Sequence, residues 1–207
     1  SGTRPSVNRG LVNPAGLLEL AVTDPHPRVR LEAVRVLGEV RDPRAIELAT
    51  RVLDREMDEF LDYALWLTAR ELQPVWQPAL TAKSIDFGGN ARHLAFVCKA
   101  AGSQAAVPSL IALLSAGKVE APDLEGVLEV IGEFGSAADL QTLLDLARPD
   151  SDRAPTVLNA LRAAHRRRQA VATGPEAALT ALVKSNRPEL VAPAVELAGR
   201  YRVASLL

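Results

Sequence analysis

The sequence is poor in the residues on which most site chemistry depends. Of its 207 residues one is cysteine, Cys98, which excludes an internal disulfide and any metal cluster built from cysteines. Its three histidines, His26, His93 and His165, are followed by Pro27, Leu94 and Arg166, so neither a His-Glu pair nor two histidines at i, i+4 exist to found a zinc site. No G-x-S-x-G occurs, and Gly88-Gly89-Asn90 lacks the glycine or Lys-Ser/Thr that would make it a phosphate loop. No run approaches the 18 apolar residues of a membrane span, and Ser1-Gly2-Thr3-Arg4-Pro5 opens without an apolar signal core. Catalytic residues, cofactors and metals are therefore not expected.

An excess of charge is also missing. Net charge is −1, and residues 1–103 hold 13 of the 24 Lys/Arg and 13 of the 25 Asp/Glu, so neither half carries a global footprint for nucleic acid. Aromatics make up only 4%. What is abundant is Ala, Leu and Val within a 48% hydrophobic total, the composition of closely packed helices rather than of a sandwich rich in Val, Thr and Tyr. The lone cysteine fits a reducing compartment without excluding a secreted helical protein.

The chain also repeats itself. Val36-Leu37-Gly38-Glu39-Val40, with a helix expected from Pro43, matches Val130-Ile131-Gly132-Glu133-Phe134, with a helix expected from Ala137. Their offset of 94 residues is three units of about 31. Gly102-Ser103 with Val107, Leu110 and Ile111 matches Gly135-Ser136 with Leu140, Leu143 and Leu144 at an offset of 33. Ala198-Gly199-Arg200-Tyr201 echoes the pattern 67 residues after Gly132. Together these predict turns near residues 38, 70, 100, 133, 167 and 200. Apolar spacing inside a unit is helical: Leu17, Leu18 and Ala21, then Val29, Ala33, Val36 and Leu37. Helix starts are expected at Asp24-Pro25-His26-Pro27, Arg41-Asp42-Pro43, Ser136, Asp150-Ser151-Asp152 and Thr173-Gly174-Pro175. Pro74, Pro78 and Gly88-Gly89 make residues 73–90 an expected irregular connection, with Trp76 and Phe87 expected to pin it onto the helices, the alternative being a ligand pocket.

The run Asp24 to Gly38 resembles the second helix of a HEAT repeat, D-x-x-P-x-V-R-x-x-A-x-x-x-L-G. In that reading Asp24 caps, Pro27 suits the first turn, Val29, Ala33 and Leu37 face inward, and Gly38 permits a left-handed exit. The resemblance implies that Arg30 bonds backbone or an acidic residue of a neighbouring repeat. It also implies an all-α fold, a right-handed α-solenoid of about six antiparallel helix pairs occupying residues 13–207 as one domain. The Ser-Gly start reads as derived from cloning, so residues 1–12 are expected to be an N-terminal extension or such a remnant, and the chain a piece of a longer protein.

Residues 20–80 carry a closer likeness. Pro27 to Arg35, Phe60-Leu61-Asp62-Tyr63-Ala64-Leu65, Leu72-Gln73-Pro74 and Trp76 are similar to the HEAT region of large secreted proteins of planctomycete-type bacteria. Those proteins join a sugar-dehydrogenase-like propeller to HEAT repeats and a c-type haem domain. This implies an extracytoplasmic spacer; without the likeness the expectation is cytoplasmic. A haem would need C-x-x-C-H, and Cys98 is followed by Lys99, so redox chemistry would belong to other segments.

Two charged clusters remain as candidate binding surfaces. Asp58, Glu59, Asp62, Tyr63 and Trp66, preceded by Glu56, set aromatics beside acids in the manner of a protein-binding hot spot; the alternative is acids favoured at a helix start by its dipole. Arg162, Arg166, Arg167 and Arg168, around His165, form the dense basic patch. They read either as a phosphate-binding groove of a nucleic-acid-binding solenoid or as a solvated helix end. The leading expectation is a non-enzymatic scaffold that binds a protein partner or holds flanking domains apart.

Overall fold

The computed structural model describes residues 14–206, so the expected extension at 1–12 lies outside the described residues. Among these residues the regular structure is entirely helical. The α-helices are α1 (Pro14–Ala21), α2 (Pro27–Gly38), α3 (Pro43–Ala49), α4 (Glu59–Glu71), α5 (Gln73–Thr81) and α6 (Ala91–Ala101). They continue with α7 (Val107–Ser115), α8 (Leu124–Phe134), α9 (Ala137–Leu146), α10 (Ala154–Arg168), α11 (Glu176–Val183) and α12 (Pro188–Tyr201). The chain forms two compact units, Ser1–Trp76 and Gln77–Leu207, with α5 beginning in the first and ending in the second.

Local chemistry explains the helix starts. Pro43 opens α3, where its missing N–H costs nothing, and the Asp42 carboxylate accepts from Arg44 N at 2.8 Å. Ser136 and Asp139 close a capping box on α9. Asn90 Oδ1 accepts from Arg92 N and His93 N to begin α6, and Gly102, at φ 59°, ends that helix in the left-handed conformation its missing Cβ permits. The even-numbered helices α2, α4, α6, α8, α10 and α12 end at Gly38, Glu71, Ala101, Phe134, Arg168 and Tyr201. Each end lies at, or one residue past, a turn position expected from the repeat.

In the first unit α2 packs on α1, α3 and α4, and its contact with α4 is the broadest. In the second unit α6, α8, α10 and α12 pack in sequence as one row, and α7, α9 and α11 form a second row against them. Leu110, Leu128, Ile131, Leu140, Leu143 and Leu144 are fully buried between the rows.

Four expectations need correction. The inward stripe of α2 is Arg30, Ala33, Val34 and Leu37, whereas Val29 and Val36 are 41% and 50% exposed and Leu17 of α1 is exposed too. Apolar residues surround α2 on more than one side, so periodicity alone could not choose a face; the approach of α4 over Val34 and Gly38 does. Val29 and Val36 instead line an open apolar groove with Leu18 and Ala21.

Asp24 does not cap α2. The cap is His26, whose Nδ1 accepts from Arg28 N at 3.3 Å, and Asp24 Oδ1 accepts from His26 N at 2.7 Å one step earlier. Nor does Gly38 turn left-handed, because it is the last helical residue of α2. A Cβ there would come within 3.2 Å of Thr68 Oγ1, so Gly38 is needed for the close approach of α4. Gly132, its counterpart in the 94-residue match, also faces the next helix of its row, but with more room: Ala164 Cβ and Ala160 O of α10 lie 3.4 and 3.6 Å from such a Cβ, an ordinary packing distance.

The stretch read as an irregular connection begins with a helix, α5. Pro74 falls in its first turn, where no donor is lost, and only Pro78 interrupts the interior. Trp76 is fully buried with its indole Nε1 donating to Ala69 O at 2.7 Å, and Phe87 is buried in the short 3-10 turn Phe87–Gly89.

Candidate interaction surface

Helix α4 presents two chemically different faces. Asp58 sits at its N-cap with Oδ1 accepting from Leu61 N at 2.8 Å, and Glu59 and Asp62 occupy the first turn, where the helix dipole favours negative charge. Leu61, Leu65, Thr68 and Ala69 are buried on the inner face. On the other side Phe60, Tyr63, Trp66 and Leu67 stand 67%, 63%, 37% and 38% exposed. The Tyr63 and Trp66 rings stack with centroids 6.0 Å apart and planes 18° from parallel, and the Arg70 guanidinium lies 4.6 Å from the Trp66 ring centre. Stacking and the cation hold the indole in place, which lowers the entropy a partner would have to remove on docking.

The structure therefore brings together Tyr63 and Trp66 with Glu59 and Asp62 on one helix, and gives Asp58 a capping role. Phe60, Leu67 and Arg70 belong to the same surface and were missed from sequence. Their signal was the i, i+3, i+4, i+7 spacing of Tyr63, Trp66, Leu67 and Arg70, with Phe60 three residues before. It was masked by the equally helical spacing of Leu61, Leu65, Thr68 and Leu72 behind it.

The basic cluster of α10 is largely engaged inside its own unit. Arg162 pairs with Glu196 of α12, which also receives Arg200 at 2.8 Å. Both terminal nitrogens of Arg167 lie 3.1 Å from Glu129 Oε1 of α8, and Lys99 of α6 meets the other oxygen of Glu129 at 3.1 Å. Lys99 and then Arg167 hold the Glu129 carboxyl below the usual range, and Arg162, with a smaller effect from Arg200, does so for Glu196. Arg168 donates to Gly132 O at 2.8 Å and to Gly135 O, satisfying carbonyls at the C-terminal end of α8. His165 is buried, its Nδ1 3.1 Å from Ala170 O and its ring tilted against Tyr201. Arg166 is exposed on the rim of a groove of about 580 Å³ between α8 and α10, floored by Gly132, Ala160, Ala163 and Ala164.

Arg30 is 4% exposed and donates to Asp24 O at 2.8 Å, Pro25 O at 3.0 Å and, across to the loop before α4, Glu56 O at 2.6 Å. It joins one helix pair to the next through main-chain carbonyls. The second unit uses the same device in Arg153, which donates to Val119 O, and Arg187, which donates to Pro149 O and Ser151 O.

Residues 14–72 match the family of HEAT repeats. No curated protein and no solved structure matches the chain. The HEAT match spans α1 to α4 and so contains the α4 surface. Among the described residues no helix is long and apolar enough to cross a membrane, and no three or more His, Cys, Asp or Glu gather as a metal site would need.

Proposed function

We propose that this chain is a non-enzymatic HEAT-repeat scaffold that binds a protein partner through the outer face of α4. One observation carries the reading. A chain with only two Trp, two Tyr and four Phe places Phe60, Tyr63 and Trp66 in solvent on one helix, with Leu67 beside them. Exposed aromatics in such a cluster cost solvation unless something covers them, and aromatic residues are enriched where partners bind. HEAT repeats commonly serve as protein-interaction scaffolds, which agrees with this use of the surface.

Helices of the second unit also pack in pairs, so the reading extends the HEAT description to α6–α12 and takes the whole chain as a right-handed α-solenoid of about six pairs. In the setting implied by the planctomycete-type likeness, the same module would also space flanking domains. A phosphate-binding role for Arg162, Arg166, Arg167 and Arg168 has less support, because three of the four already meet carboxylates or helix carbonyls.

A photo-crosslinking amino acid placed at position 60, compared with one at Val171 of the second unit, which is also exposed, tests the reading. Discrete protein adducts are expected from position 60 and not from position 171. Equal yields from the two positions would sink it.

A further inference from the structure

We infer that the α4 surface receives a basic segment, a helix or peptide that sets Lys or Arg side chains beside an apolar stripe. The inference rests on the reading of α4 as a protein-binding face and names the chemistry of what binds there. Residues four apart on a helix lie one above the other. The exposed side of α4 thus consists of two columns, Glu59–Tyr63–Leu67 and Asp62–Trp66–Arg70, with Phe60 alongside. Each column starts with a carboxylate one turn before an aromatic ring. A cation entering either column meets a carboxylate and the negative face of a ring within one turn, and the apolar body of its stem lies on Leu67 or Phe60.

The surface already performs half of this recognition on itself, since the Arg70 guanidinium lies over Trp66. Charge decides between the possible occupants. Glu56, Asp58, Glu59 and Asp62 cluster at the end of α4 where Phe60 and Tyr63 project, so an acidic peptide or an anionic lipid surface would be repelled where the aromatics are most exposed. Segments that carry Lys or Arg next to leucines satisfy both the rings and the carboxylates.

The chain carries its own reporter. Trp66 is partly exposed within the surface, while Trp76 is fully buried and supplies a constant background. The probes are an 18-residue Leu/Lys amphipathic helix, the same peptide with every Lys replaced by Glu, and vesicles of phosphatidylcholine with phosphatidylserine. The Leu/Lys peptide is expected to shift Trp66 emission to the blue saturably, with an affinity that falls as salt rises. Glu59→Lys/Asp62→Lys is expected to weaken it at least tenfold with far-UV helicity unchanged, and Phe60→Ala/Tyr63→Ala to weaken it without changing the salt slope.

If the Glu peptide binds as tightly as the Lys peptide, the basic partner is wrong and the protein-binding face stands. If vesicles shift Trp66 more strongly than the Lys peptide, the occupant is a membrane surface and the inference falls. If neither peptide alters Trp66 emission, both the inference and the reading beneath it fall.

Discussion

At Arg30 a full positive charge is carried into a site where its acceptors are three main-chain carbonyls. Hydrogen bonds to charged donors contribute about 1.5–3 kcal/mol each, and carbonyls left bare inside a fold cost about 1–3 kcal/mol. Arg30→Ala is therefore expected to lower the stability of the first unit by roughly 3 kcal/mol or more. Arg30→Lys should recover only part of this, since an ammonium cannot span Asp24 O, Pro25 O and Glu56 O as a planar fork does. Urea unfolding followed by tryptophan emission checks both, and a Lys variant as stable as wild type would refute the fork argument. Arg166→Ala and Arg168→Ala make a matching pair in the second unit. The former should leave stability within about 0.5 kcal/mol, and the latter should lower it by more, because it uncaps α8.

Cys98 is the opposite kind of residue, a neutral group kept neutral. Its side chain has no exposure, the thiol donates to Ser103 O at 2.6 Å, and burial pushes its pKa from 9.0 up to about 11. A raised folded value means the stabilisation is complete below pH 9 and is lost between pH 9 and about 11, as the unfolded thiol ionises and the folded one does not. At about 1.4 kcal/mol per pH unit the loss amounts to roughly 3 kcal/mol. Tyr201, pushed up to about 12 by burial, acts in the same direction at higher pH. Stability measured from pH 8 to 11 should fall in wild type and fall less in Cys98→Ala. A native protein that reacts quickly with a thiol reagent at pH 8 would contradict this burial.

Among the elements, the glycines at helix crossings separate packing from backbone propensity. Gly38 and Gly132 sit where the next helix of the row crosses, whereas nothing lies within 4 Å of a Cβ placed on Gly199 of α12. An alanine in a helix interior is favoured over glycine by about 1 kcal/mol. Gly199→Ala should therefore stabilise by up to about that amount. Gly38→Ala should destabilise, because Thr68 is buried and its hydroxyl, 3.5 Å from Val34 O, has nowhere to retreat. Thermal melts of the two variants shifting in the same direction would refute the crossing argument. The match between Val36–Val40 and Val130–Phe134 was legible because both carry a glycine where the next helix crosses, tightly at Gly38 and at ordinary packing distance at Gly132. The reason for that residue was not legible, since sequence alone cannot tell a glycine that turns the chain from one that lets a neighbour in. Tyr63 and Trp66 could be read as part of a surface, but Phe60, Leu67 and Arg70 were hidden for a related reason: a helix apolar on both sides offers two stripes, and only the position of α2 shows which is spent on the core.

At the scale of the molecule, the repeat length and the helix ends could be read from sequence because each helix pair must hide its apolar faces against the next, which fixes a period. The division into two units could not, because α5 hides behind two prolines that usually break helices and here break little. The ties that bridge helices were legible as basic residues and not as ties: Lys99, Arg167 and Glu129 join α6, α8 and α10, and Arg162, Arg200 and Glu196 join α10 to α12. Because both carboxyls are held below their usual range, their stabilisation is present above about pH 4.5 and is lost as pH falls through the lowered folded values. Both tryptophans lie in the first unit and Cys98 in the second, so one chain reports on each unit separately. In Glu129→Gln/Glu196→Gln, the urea midpoint for exposing Cys98 at pH 7 should fall, the tryptophan midpoint should stay where it is, and lowering the pH to 3.5 should cost the second unit less than it costs in wild type. A variant whose Cys98 exposure keeps the wild-type midpoint and acid sensitivity would show that these ion pairs decorate the helix row without holding it.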